Sequence, residues 1–171
     1  MQKKPLLIAI FTLVAVLFLA TSSSYSQNLV ASLDDQEITK KDLAKYVEDV
    51  AGSSYESLLS NNDGLRKLAD FYINRVLLLD YAKQQVEKDD SLITNHDARR
   101  VSTETMYLTA LLKTEVHEKA QISQKAIEDY LKENQQFTFE QAQQKLESER
   151  KQKLMEELID TVRSGHSIRY F

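Results

Sequence analysis

The stretch Leu65–Tyr81, LRKLADFYINRVLLLDY, carries the reading of the fold. Leu65, Leu68, Tyr72, Val76 and Leu79 recur every three or four residues and form one stripe of a helix. Phe71, Ile73, Leu77, Leu78 and Tyr81 fill most of the remaining circumference. A helix that is apolar nearly all round is covered by neighbouring helices or faces a partner. Neither Gly nor Pro interrupts it, and the pattern continues to about Lys88.

The same pattern extends in both directions. On the N-terminal side, Asn61-Asn62-Asp63-Gly64 reads as a turn. Before it, Leu43, Tyr46, Val47 and Val50 place a first helix at about 40–51, with Thr39 and Asp42 as a capping box in which Asp replaces the usual Glu. Gly52-Ser53-Ser54 ends that helix, and Tyr55–Ser60 reads at most as one further helical turn. Further back, Val30–Leu33 is short, apolar and partly β-branched, as a strand requires. Asp34-Asp35 then makes a turn into the first helix. On the C-terminal side, Asp89-Asp90-Ser91 breaks the pattern, and Thr94 with Asp97 resembles a cap. A third helix carries the stripe Val101, Thr105, Leu108, Leu112 and Val116, flanked by Met106, Tyr107 and Leu111. Ser123 caps a fourth helix with Ala126, Ile127, Tyr130 and Leu131 on its apolar face. Glu133–Gln136 is a polar break. A fifth helix starts near Thr138 and runs to Gly165, a position suited to a helix-terminating glycine. Ser167–Phe171 alternates like a strand.

The spacing therefore predicts an all-α chain of about five helices with a small two-stranded sheet. Val30–Leu33 and Ile168–Phe171 pair in it, because an isolated strand leaves its backbone groups unsatisfied. The only proline is Pro5, and the three glycines, Gly52, Gly64 and Gly165, all sit at helix boundaries. That distribution suits long helices.

Residues 1–26 read as a signal peptide. Lys3 and Lys4 are basic, Leu6–Ala20 is apolar, and Ser24 and Ser26 are small residues spaced for cleavage after Ser26. The apolar run is shorter than the roughly 20 residues of a spanning helix. A periplasmic location follows, with no stable membrane insertion after cleavage; the alternative is an inner-membrane anchor formed by an uncleaved signal. Residues 27–171 then form a single domain. Without Lys3 and Lys4, 20 basic face 26 acidic residues, a formal charge of −6. A mildly acidic chain without a basic block is poorly suited to nucleic acid. The absence of Cys excludes disulfides and thiol chemistry.

Catalytic, metal and cofactor sites are not expected. His117-Glu118 begins like a zinc-protease helix, but Gln121 occupies the position of the second imidazole, so the two-His face fails. His96, His117 and His166 read as solvated surface residues. Glu147, Glu149 and Arg150 read as a solvated helix face with local ion pairs. No Gly-rich phosphate loop or nucleophile elbow is present.

With these residues in view, the chain resembles a family. VASLDDQEITKKDLAKYVE (30–48) is similar to the opening of the SurA-, PrsA- and PpiD-type periplasmic chaperones. FYINRVLLLDYAKQQ (71–85) is similar to their L-I-x-x-x-L-L-x-x-x-A helix. ISQKAIEDYLKENQQF (122–137) resembles the segment preceding their prolyl-isomerase domain, and residues 138–171 resemble their closing helix and strand. The likeness covers the whole chain after the signal, in the same order. In two respects the chain departs from the family. Asp34-Asp35 replaces the usual Asn-Gly turn. The parvulin isomerase domain is missing between residues 134 and 139, where only a few residues separate two helices.

The resemblance implies the helical chaperone domain without its enzyme: an ATP-independent holdase for unfolded or partly folded exported polypeptides, including outer-membrane proteins. Phe71, Leu78, Tyr81, Met106 and Tyr107 are the candidate peptide-binding residues, since adaptable aromatic and Met contacts suit clients with no common sequence. The same residues also fit a core. The alternative function is an exported adaptor that forms a homo-oligomer or docks one partner.

Overall fold

The structure is a computed structural model, which describes residues 28–86 and 102–171. The expected signal segment 1–26, the expected break at 89–91, the expected Thr94/Asp97 cap, His96, Val101 of the third-helix stripe and the expected far end of the second helix lie outside the described residues. The chain is predominantly helical, with five α-helices, one 3₁₀ helix and a three-stranded antiparallel sheet among the described residues. No described helix is long and apolar enough to cross a membrane. The described residues fall into two compact units, 28–72 with Ser167–Phe171, and Ile73–His166.

The first unit is built on the sheet. β1 (Leu29–Leu33) is central, β2 (Gln36–Thr39) lies on one side and β3 (Ile168–Tyr170) on the other. The expected pairing of the first and last strands is present: Ala31 faces Tyr170, Ser32 faces Arg169 and Leu33 faces Ile168, antiparallel. The sheet has three strands where two were expected. Gln36 and Glu37 are polar and exposed, so this edge strand shows one buried apolar residue, Ile38, and no alternation long enough to read. Backbone pairing creates it: Leu33 faces Gln36 and Ala31 faces Ile38 across a tight turn at Asp34-Asp35. Asp34 takes φ 51° there, a left-handed conformation open mainly to Gly, Asn and Asp.

The rest of this unit is helical. α1 (Lys40–Tyr46) starts with the expected capping box. Asp42 N–H donates to Thr39 Oγ1 at 3.3 Å, and the Asp42 carboxylate accepts from Thr39 N–H at 2.9 Å. Val47–Ala51 continues as a π-helical turn that stops at Gly52, φ 87°. The ambiguous segment after it is an eight-residue 3₁₀ helix, Ser53–Ser60, with no buried residue. α2 (Asn62–Val86) starts three residues earlier than its apolar stripe. The residues read as a turn are its cap: Asn61 Oδ1 accepts from Gly64 N–H at 2.8 Å. Gly64 is required by packing, since a Cβ there would lie 2.2 Å from the Leu58 carbonyl oxygen.

Ala31, Leu33, Ile38, Leu43, Val47, Leu65, Leu68 and Ala69 form the buried core of this unit. β3 is fastened to α2 by two contacts on one ring. Tyr170 Oη donates to the Asp70 carboxylate, and the Arg66 guanidinium lies 4.8 Å from the centre of the Tyr170 ring.

The second unit takes α2 from Ile73, then α3 (Thr103–Leu112), α4 (Gln124–Glu133) and α5 (Phe139–Arg163). Ser102 caps α3, which passes into a π-helical turn at Lys113–His117. Ser123 caps α4 as expected, and α5 begins with a capping box of Thr138 and Gln141. At about 1.5 Å per residue, the 25 residues of α5 make a rod of roughly 37 Å. It ends before Gly165, φ 91°. α4 packs along α5 through Ile127 and Ala142, and Tyr130 and Phe137 stack at 6.0 Å where the two helices join. Arg75 bonds Glu104 at 3.0 Å, tying α2 to α3, and Arg163 bonds Asn74 at 2.7 Å.

Candidate functional site

Burial sorts the apolar excess of α2. Leu65, Leu68, Ala69, Ile73, Leu77, Leu79 and Ala82 are buried, while Tyr72, Val76, Leu78 and Tyr81 are half-buried. Phe71 is the outlier, 44% exposed. Of the five candidate residues, it alone is exposed; Leu78, Tyr81, Met106 and Tyr107 are half-buried, and none is fully buried. Phe71 belongs to the first unit and the other four to the second.

The first unit adds Tyr55, to which the sequence pattern gave no role, and leaves Val50, expected on the apolar stripe of the first helix, exposed. Among the described residues, the exposed large apolar side chains are Val50, Tyr55, Phe71, Phe139 and Phe171, and all but Phe139 belong to this unit. Tyr55, on the 3₁₀ helix, meets Phe71 edge to face, with ring centres 5.8 Å apart and planes at 89°. That geometry aligns ring edge with ring face, so the pair is mutually oriented while a large part of each ring stays open to solvent. The same 3₁₀ helix forms one wall of an open cleft of about 590 Å³, lined by Ala44, Val47 and Glu48 on one side and Ser53, Glu56 and Leu59 on the other. Its position is fixed at both ends, by Gly52 at the start and by the close approach of Leu58 to Gly64 near the end. Tyr55 was hard to find because Tyr55–Ser60 has no helical apolar stripe. The clue was an aromatic residue in a segment with no core to join.

The polar stretches behave as ordinary helix surface. Glu149 bonds Lys145 at 2.6 Å and raises the pKa of its ammonium, Glu147 accepts from Gln143 at 2.8 Å, and Arg150 Nε donates to the Lys119 carbonyl at 2.8 Å. His117, Gln121 and His166 are exposed. Among the described residues no three His, Asp or Glu side chains converge on a common point.

Comparison with known protein families, curated proteins and solved structures finds no match for this chain.

Proposed function

We propose that this protein is an ATP-independent holdase of the periplasm, binding unfolded envelope proteins, outer-membrane proteins among them, through exposed apolar side chains. The observation that carries the reading is the Tyr55–Phe71 pair, two aromatic side chains in edge-to-face contact that are 39% and 44% exposed. Contiguous exposed apolar surface of this kind marks an interaction site. The resemblance to the SurA-type helical chaperone domain supports the same reading, as does the signal-like start of the chain.

The physics suits the task. Burying client side chains yields roughly 25 cal/mol per Å² of apolar area removed from water. Ordering a flexible client offsets most of that, so each site binds at about micromolar affinity. Such contacts release without a nucleotide cycle. They also persist in added salt, since the main term is not electrostatic.

The test is dilution of a urea-denatured outer-membrane protein into buffer containing the purified protein and no ATP. Light scattering should fall in proportion to the amount of protein added. A protein that protects no client and forms a defined oligomer is an adaptor instead.

A further inference from the structure

The cleft beside Tyr55 has an apolar floor and an acidic rim. Ala44 and Leu59 supply the accessible apolar surface over the buried Val47; Glu48 on the π-helical turn and Glu56 on the 3₁₀ helix supply a carboxylate on each wall. Both glutamates are exposed, and neither is held in a hydrogen bond or salt bridge among the described residues, although Lys45 lies near enough to Glu48 to interact with it electrostatically. The nearest base in sequence, Lys45, is held by Asp49 at 2.5 Å. Lys45 is thus bridged to Asp49 and shared only through space with Glu48, which leaves both cleft carboxylates outside any salt bridge among the described residues. With no third donor, they do not form a cation site.

We infer that this cleft selects client segments in which an apolar side chain is flanked by Lys or Arg, the apolar group seated on Ala44 and Leu59 and the flanking cations on Glu48 and Glu56. The inference rests on the holdase reading and names the class of segment that its site prefers. Charge complementarity commits the occupant. An acidic flank would bring like charges against both walls, whereas a basic flank finds two acceptors that no salt bridge occupies among the described residues. Apolar contact sets the affinity and the rim sets the choice among clients.

The experiment measures fluorescence anisotropy of short labelled unstructured peptides titrated with the full-length protein. The peptides share one apolar centre and differ only in flanks of Lys, Gln or Glu. At low ionic strength the Lys-flanked peptide should bind roughly 3–10-fold tighter than the Glu-flanked one, the range expected for two exposed ion pairs. High salt should compress that ratio towards one. Glu48→Gln/Glu56→Gln should abolish the preference, while Glu133→Gln/Glu140→Gln, which changes net charge equally, should retain it. Equal loss in both double variants would assign the preference to overall charge and overturn the cleft. Equal affinity for all three peptides would also overturn it, and if the parent still protects a denatured client the holdase reading stands. A parent that binds no peptide and protects nothing removes both.

Discussion

The Asp34 carboxylate accepts a hydrogen bond from the Ser167 backbone N–H at 2.8 Å, while Asp34 N–H donates to the Ser167 carbonyl at 2.7 Å. One residue in a left-handed turn therefore clasps the chain where β3 begins. Asp suits this position in two ways. The side chain that tolerates the turn also satisfies a backbone donor 133 residues away.

Substitutions at Asp34 should separate those two roles. Asp34→Asn keeps an acceptor and tolerates positive φ, so its urea midpoint should stay within about 0.5 kcal/mol of the parent. Asp34→Gly keeps the backbone freedom and loses the acceptor, at about 1 kcal/mol. Asp34→Ala loses both, at roughly 2–3 kcal/mol. An Ala variant as stable as the Asn variant would dismiss the clasp.

Removal of Ile168–Phe171 exposes one side of β1 and strips Tyr170 from Asp70 and Arg66. The expected loss is roughly 2–4 kcal/mol by chemical denaturation, large for a local change. An unchanged midpoint would mean that the strand contributes nothing to closure.

Gly64→Ala places a methyl group against the Leu58 backbone, which cannot move aside as a flexible side chain would. Overpacking of this kind costs about 1–3 kcal/mol. It should also push the 3₁₀ helix outward and disturb the Tyr55–Phe71 pair, read as a change in tyrosine fluorescence in the folded variant. An alanine variant with the parent's midpoint and spectrum would show that the approach is loose.

Asp42 gives a pH signature. Its hydrogen bonds from the Thr39 side chain and backbone hold its carboxyl below the ordinary value of 3.8. A lowered folded-state pKa adds stability that is fully present above the unfolded value and is lost as pH falls through the folded one. The midpoint difference between parent and Asp42→Ala should therefore be constant from neutral pH down to the ordinary carboxylate range and shrink below it. A difference that grows on acidification would reverse the assignment.

What was legible in the sequence follows from how local each signal is. The caps at Thr39 and Ser123, the helix start near Thr138 and the stop at Gly165 are short-range, and each could be read from a few residues. The β1–β3 pairing was legible because two isolated strands need partners. β2 was not, because Gln36 and Glu37 carry no apolar alternation and owe their strand conformation to hydrogen bonds with β1. Asn61–Gly64 misled for a related reason: turn residues and helix-capping residues are the same types. At the candidate site, Phe71 was one of five residues the sequence named, and it alone of them is exposed. Tyr55, Glu48 and Glu56 depend on how the 3₁₀ helix folds back along α1, which no local pattern encodes.

The account turns on Tyr55 and Phe71, and the most direct measurement is aggregation suppression by the Tyr55→Ser/Phe71→Ser variant, with helicity checked by circular dichroism. Both rings are substantially exposed, so the helical signal should match the parent. Protection of a denatured outer-membrane protein should weaken roughly tenfold or more, as expected when two aromatic anchors are removed from a binding surface. A variant that keeps its helicity and protects clients as well as the parent would contradict the account.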